Sequence, residues 1–416
     1  MNKNKKILIV GTQPYRKTNQ SRALDTYFRE FKKENLMQIY SDSLPPEVGH
    51  CFSFYQITDK RLLKRKFNKS ISVGKLYLDS ELNKAKNSFS TSKKKYSPSY
   101  KGPIYRFFRK WLWKKKYWDE SLLEETVGSF HPDYVFICLS KDFFILDIAL
   151  HFSEKYSAPI IFCISDDYYF YDEYKFHPLN LLYRKLYKQL FKKCIAKTCL
   201  GIFCSNKIKE KYINEFKIKG ETIYIASNAI PKKPSNINHT KDWYYFGNLE
   251  YGRFKSLKEI ASCLCKNKST IKLHVFSKDL KKMKSNNPNL VLHHSIPYEE
   301  LIKTMSNAGA LIIVEGFGKK NINMVKYSLS TKVGDSLCSG VPVVAYGSND
   351  SGAISFLKEK KCAYVATSKA ELNDLIKKLI NSYNDKDIYE SQYITAKECF
   401  DVEEQSKKFF NLTKKL

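Results

Sequence analysis

The chain has 416 residues, 43% of them hydrophobic and 27% charged, close to globular averages, which excludes a disulfide-stapled mini-protein and wholesale disorder. Its net charge of +30 at neutral pH favours a polyanionic partner: nucleic acid, anionic lipid or a phosphorylated substrate.

The N-terminal segment MNKNKKILIVGTQPY is basic, but its apolar run covers only Ile7 to Val10 and no small-residue cleavage site follows, so no secretory leader is expected. No run of about 18 apolar residues occurs, and no bilayer-spanning helix is expected. The eleven cysteines lie mostly in strand-like runs such as YVFICL, PIIFCI and GIFCS. They read as reduced core thiols of a cytoplasmic protein, and without a CxxC pair no metal site is expected.

From the start, short β-branched or aromatic runs alternate with helical-period segments. The order is KILIVG, a helix over 20–34, MQIY, then YVFICL, a helix over 143–155, PIIFCI, a helix over 179–197, GIFCS, a helix over 207–216, and TIYIAS. Such βα alternation predicts a parallel sheet in a first domain over 1–228. Residues 229–241, rich in Pro, Asn and Lys, read as a linker. The alternation restarts over 242–400 with DWYYFG, TIKLHVF, NLVLHH, ALIIVE, PVVAY and AYVA. The fold class is therefore α/β, with two Rossmann-like, doubly wound domains facing across a cleft. A last helix over 401–416 is placed to pack back on the first domain.

Residues 60–117 break this rhythm and read as a basic insertion, carrying 19 basic and two acidic residues and so +17 of the +30. Within it Ile104, Phe107, Phe108, Trp111 and Leu112 recur at helical spacing, among Arg106, Arg109, Lys110, Lys114 and Lys116. A basic, aromatic amphipathic helix docks on an anionic membrane surface, which would place the protein peripherally at the inner face of the cell membrane. Packing of the same stripe on the first domain is the other reading. Nucleic acid is disfavoured, because no nucleic-acid-binding motif accompanies the charge.

The first βα turn, Gly11-Thr12-Gln13-Pro14, lacks GxGxxG, which disfavours a dinucleotide dehydrogenase; GxxxxGK[ST] and HExxH are also absent. The segment VKYSLSTKVGDSLCSGVPVVAY is the most specific one. Ser328, Ser330 and Thr331 stand where a loop enters a helix, and Lys332 adds a full charge, a combination that suits a phosphate. Asp335 follows Thr331 by one helical turn, where a carboxylate can accept hydrogen bonds from a ribose diol.

At these residues the chain resembles nucleotide-sugar-dependent glycosyltransferases of the GT-B fold, specifically family-four-like bacterial enzymes of cell-surface polysaccharide (capsule) biosynthesis. The resemblance extends to FGNLEYGRFKSL, where Gly247, Arg253 and Lys255 match donor-binding positions, and to HPDYVFICLS, SDDYYFYDEY and IASN in the first half. It implies transfer from a nucleoside-diphosphate sugar, with UDP expected and without a cofactor, while the basic aromatic surface of residues 60–117 fits a lipid-linked saccharide acceptor at the inner leaflet. Donor binding then falls to Gly247, Arg253, Lys255, Glu315, Ser330, Thr331, Lys332 and Asp335. The family commonly has two glutamates eight positions apart. Here Asp335 holds the second position, Tyr327 stands eight before it, and Glu315 in EGFG matches the first only by its local sequence.

A retaining enzyme of this kind needs no protein base, because the leaving diphosphate accepts the acceptor's proton. An inverting one needs a carboxylate or histidine, and Asp166 and Asp167, after the strand PIIFCI, are the catalytic candidates. An Asp there can equally cap the next segment. A protein acceptor, a nucleotide-sugar epimerase and a catalytically silent partner subunit remain alternatives at this stage.

Overall fold

The computed structural model describes residues 5–16, 22–82, 102–170, 176–234, 242–280, 285–381 and 384–416. The chain divides into two compact units, Met1–Thr222 with Phe409–Leu416, and Ile223–Lys408. The division falls six residues before the expected end of the first domain, and most of the expected linker, 235–241, lies outside the described residues.

The first unit holds an eight-stranded sheet of β1 (Ile7–Gly11), β2 (Leu36–Tyr40), β3 (Ser53–Ile57), β4 (Gly74–Leu78), β5 (Tyr134–Cys138), β6 (Ile160–Ile164), β7 (Thr198–Phe203) and β8 (Gly220–Thr222). Their spatial order is β4-β3-β2-β1-β5-β6-β7-β8. Every neighbouring pair is parallel except β3 with β4. Strands β1, β2, β3 and β6 are buried along their whole length, as strands covered by helices on both faces must be.

The second unit holds six strands, β9 (Trp243–Phe246), β10 (Leu273–Ser277), β11 (Leu290–His294), β12 (Ala310–Val314), β13 (Val343–Tyr346) and β14 (Tyr364–Ala366). Their order is β11-β10-β9-β12-β13-β14, all parallel, with the switch in winding between β9 and β12. Carboxyl ends beside such a switch are where doubly wound sheets bind ligands.

Residues 60–117 are not an appendage, which corrects the insertion reading for their described part. Helix Asp59–Phe67 leads from β3 into β4, and β4 closes the edge of the sheet. The amphipathic helix exists, over Pro103–Leu112, but its stripe is divided. Ile104, Phe108 and Trp111 are exposed, whereas Leu112 is buried and Phe107 meets the Tyr183 ring edge-on at 5.9 Å. Two of its arginines turn inward: Arg106 donates to Asn180 at 3.0 Å, and Arg109 pairs with Asp59 and Asp142.

The end of the chain belongs to the first unit. Phe409, on helix Val402–Lys414, is fully buried among Tyr27, Phe28 and Phe136, with ring centroids 5.5–5.8 Å apart. Among the described residues no helix is long and apolar enough to cross a membrane.

Candidate functional site

The carboxyl ends of β9 and β12 place two cations and one carboxylate together in the second unit. After β9 the chain turns through Gly247–Gly252 and enters helix Arg253–Lys266, so Arg253 occupies the first helical position, with Gly252 capping at φ +79°. Glu315 directly follows β12. Arg253 Nε donates to Glu315 Oε2 and Nη2 to Oε1, both at 2.9 Å, and Nη1 donates to Asn248. Both partners are buried, at 6% and 3% exposure. Burial would push the guanidinium pKa down, but Glu315 more than offsets it, and the net shift is upward. The Glu315 carbonyl also accepts from Ser256 Oγ at 2.9 Å, which anchors the helix to the strand.

Lys332 comes from a different element, the first turn of helix Thr331–Cys338. Its ammonium donates to the Tyr245 hydroxyl at 3.1 Å, and that hydroxyl donates to the Asn248 carbonyl at 2.6 Å. The amine lies directly against Gly247, where any Cβ would collide with it. Burial, with Arg253 adding to it and Glu315 opposing, pushes the Lys332 pKa down to about 7. Below about pH 7, and whenever an anion restores the Lys332 proton, this part of the unit therefore holds two cations against one carboxylate, at the positive ends of two helices.

Asp335, one turn further along, is 6% exposed. Its Oδ1 accepts from Ser227 Oγ at 2.7 Å and from Tyr298 OH at 2.9 Å. Ser330 stands at the N-cap with no side-chain capping bond, and it and Thr331 are partly exposed. Lys255 is exposed, two positions and so about 200° around the helix from Arg253. The structure thus gathers Gly247, Arg253, Glu315 and Lys332 tightly, sets Ser330, Thr331 and Asp335 on the adjoining helix, and leaves Lys255 outside.

Sequence reasoning missed Tyr245, Asn248, Tyr298 and Ser227. Asn248 sits inside the Gly-containing turn, whose polar residues are a usable signal; a tyrosine within a strand or at a helix start gives none.

In the first unit Asp166 and Asp167 follow β6. Asp166 Oδ2 accepts from Tyr168 OH at 2.9 Å. Asp167 is engaged at both oxygens: Oδ2 by Lys211 at 2.7 Å, and Oδ1 by Tyr212 OH at 3.1 Å and the Phe170 amide at 3.0 Å. That pattern ties the turn after β6 to helix Asn206–Phe216. In the helix Pro103–Leu112 region, Lys110 lies 4.8 Å from the Phe143 ring and Lys114 is exposed.

Among the described residues one group of potential metal ligands occurs, Asp119, Glu124 and His151, within 4.8 Å of one another. Ammonium groups already fill it: Lys155 bonds Glu124, and Lys115 lies 2.9 Å from His151 Nδ1. That charge leaves no call for a cation.

No protein-family model matches the chain, and no curated protein matches it. Solved structures do. A trehalose-6-phosphate synthase, OtsA, superimposes with a TM-score of 0.59 at 10% identity over 99% of both chains. HepE of Anabaena, solved with UDP and glucose, gives 0.59 at 11% over 99% of this chain and all of its own. The glycotransferase of kitacinnamycin gives 0.51 at 11% over the full length of both. At these identities the likeness establishes the fold: two parallel-sheet α/β domains in the GT-B arrangement of elements.

Proposed function

We propose that this chain is a glycosyltransferase, taking a sugar from a nucleoside-diphosphate sugar bound by the second unit and passing it to an acceptor bound by the first. The observation that carries this reading is the imbalance of charge around Lys332. A buried ammonium whose hydrogen-bond partner is a phenol, beside an Arg whose charge one carboxylate already offsets, is stabilised by an incoming diphosphate. The N-termini of helices Arg253–Lys266 and Thr331–Cys338 add to that attraction.

In the reaction, the bond from the sugar's anomeric carbon to the diphosphate breaks and negative charge grows on the departing oxygens. Lys332 and Arg253 stabilise that charge, which is where electrostatic catalysis acts most strongly. With retention of configuration, a diphosphate oxygen accepts the acceptor's proton and no protein base is required. Asp167, held by Lys211 and Tyr212, suits shaping of the acceptor site, and Asp166 orienting of an acceptor hydroxyl. Asp335 is assigned the ribose. UDP is the expected nucleotide, a reading supported by the fold shared with HepE, whose structure holds UDP and glucose.

The acceptor is assigned as a lipid-linked saccharide at the inner leaflet, in the synthesis of a bacterial surface polysaccharide. The +17 charge of residues 60–117 supports it, because a lipid diphosphate in an anionic leaflet is drawn to such a surface.

A thermal-shift panel of UDP, GDP, CDP and ADP tests the donor site, since a ligand that binds only the folded state raises the melting temperature. One nucleotide is expected to stabilise the wild type, and neither Lys332→Ala nor Asp335→Ala to respond. The same nucleoside diphosphate should then be released from its sugar conjugates when acceptor is supplied. Absence of any shift overturns the transferase reading in favour of a catalytically silent subunit.

A further inference from the structure

The Lys332 amine stands without a counter-charge. Its hydrogen bond runs to the Tyr245 hydroxyl at 3.1 Å, and among the described residues no carboxylate pairs with it. Burial pushes the Tyr245 phenol up, so that group stays protonated and supplies no negative charge. Glu315, the carboxylate of this cluster, is engaged by Arg253 through two bonds of 2.9 Å. A desolvated lysine beside another cation keeps much of its amine neutral, and a neutral amine is a nucleophile. The residue is half-buried rather than sealed, so a small reagent reaches it.

The surroundings select the electrophile. Arg253 and the N-termini of helices Arg253–Lys266 and Thr331–Cys338 draw anions towards the amine. An uncharged electrophile is indifferent to them. An acyl phosphate is not: its phosphoryl group is attracted as a donor's diphosphate would be, and its reactive carbonyl carbon is only one oxygen away from that phosphorus. It is also much smaller than a nucleoside diphosphate.

We infer that Lys332 is a modification site whose amine accepts the acyl group of small acyl phosphates, and that the resulting amide switches off donor binding. The nitrogen attacks the carbonyl carbon, and the bond from that carbon to the bridging oxygen breaks with its electron pair leaving on phosphate. The proton lost by nitrogen ends on the same phosphate, so amine and acyl phosphate become amide and hydrogen phosphate with no further reactant. An amide carries no charge, and a diphosphate arriving afterwards meets one cation where there were two. A donor already bound covers the amine and protects it. The switch rests on the donor-site reading given above, whereas the labelling itself needs only the amine and the anion-attracting groups around it.

The test is peptide mass spectrometry of the native full chain after brief exposure to acetyl phosphate at pH 7.5, with N-acetylimidazole as an uncharged acetyl donor for comparison. Lys332 is expected to be acetylated at least about tenfold faster than Lys255, an exposed lysine in the first turn of helix Arg253–Lys266. The preference should be smaller with N-acetylimidazole, and should vanish for both reagents in guanidinium chloride, where the chain is unfolded. At low reagent the rate at Lys332 should level off above about pH 7, whereas an ordinary lysine keeps gaining reactivity to pH 9 and beyond. Equal labelling of Lys332 and Lys255 in the native chain overturns the inference, and so does a preference that survives unfolding or is as large with the uncharged reagent. The acetylated protein, freed of reagent, should no longer be stabilised by the nucleotide that raises the melting temperature of the untreated one. An unchanged response overturns the switch. A nucleotide response without preferential labelling removes this inference and leaves the transferase reading intact. Preferential labelling with no response to any nucleotide keeps the modification site, and removes the transferase reading and the switch with it.

Discussion

Arg253 and Glu315, 62 residues apart in the chain, share two parallel hydrogen bonds of 2.9 Å in a setting where both are nearly inaccessible to water. The carboxylate therefore aims and holds the Arg253 guanidinium. Removing one member of a buried pair strands the other charge, at a cost of about 3–5 kcal/mol, whereas replacing both by apolar groups of similar volume is far less damaging. Glu315→Ala is expected to lower stability to denaturant by that amount, and Arg253→Met with Glu315→Leu to recover most of it. Neither protein should respond to a nucleoside diphosphate. A Glu315→Ala protein that keeps wild-type stability and nucleotide response would show that the pair matters to neither.

Lys332 makes a prediction about pH. Its pKa in the folded chain is about 7, against an ordinary value of 10.5. Between those values the unfolded chain binds more protons than the folded one, so this group makes stability rise with pH across that window. Below about pH 7 the ammonium is charged in both states and its full cost is felt. Lys332→Met should therefore raise the melting temperature at pH 6 by more than at pH 10. A difference that does not change with pH removes the titration from Lys332.

The same group couples ligand binding to protons. A diphosphate beside Lys332 favours the charged amine, so binding above pH 7 takes up a proton and affinity falls as pH rises, by at most about tenfold per pH unit for one linked proton. Titration calorimetry in two buffers of different ionisation enthalpy reads that proton directly. Lys332→Met should abolish the uptake.

The parallel strands were legible because continuous apolar runs such as ILIVG and IIFCI belong to sheets covered on both faces. Strands β3 and β4 were not, since SFYQI and GKLYL mix polar residues with apolar ones inside a lysine-rich stretch. The amphipathic stripe of Pro103–Leu112 was visible as a spacing, but spacing alone does not say that Phe107 meets Tyr183 while the half-exposed Trp111 lies under the Lys66 amine. At the candidate site, Arg253, Lys332 and Asp335 could be picked out from local motifs. The bond from Glu315 to Arg253 could not, nor the two hydroxyls on Asp335, because each joins distant segments that only the folded sheet brings together.

Gly247 is required by the space that Lys332 occupies. Its φ of +153° lies on the side that other residues avoid, and an added Cβ would meet the Lys332 amine and its neighbouring carbon. Gly247→Ala is expected to displace the amine from Tyr245. An amine so displaced no longer reaches the diphosphate, and losing that charge-assisted hydrogen bond, worth about 1.5–3 kcal/mol, weakens nucleotide binding by about ten- to a hundredfold. Gly102→Ala, at a site with nothing within 4 Å, is the control and should bind as wild type.

Asp335 accepts from Ser227 and Tyr298 through a single oxygen, which fixes the carboxylate's direction while holding two segments of the second unit to helix Thr331–Cys338. Two roles can be separated here. As a brace, the residue needs only an acceptor, so Asp335→Asn should keep most of the stability, while Asp335→Ala removes the acceptor of the buried Ser227 hydroxyl, at about 1–3 kcal/mol, and of the half-buried Tyr298 hydroxyl, at less. As a ribose ligand it should also discriminate between UDP and 2′,3′-dideoxy-UDP. The wild type is expected to prefer UDP by about tenfold, the worth of roughly 1.4 kcal/mol of hydrogen bonding. Asp335→Ala should bind both weakly and alike. If the alanine variant is destabilised but keeps the wild-type preference, the ribose is held elsewhere and Asp335 serves the fold alone.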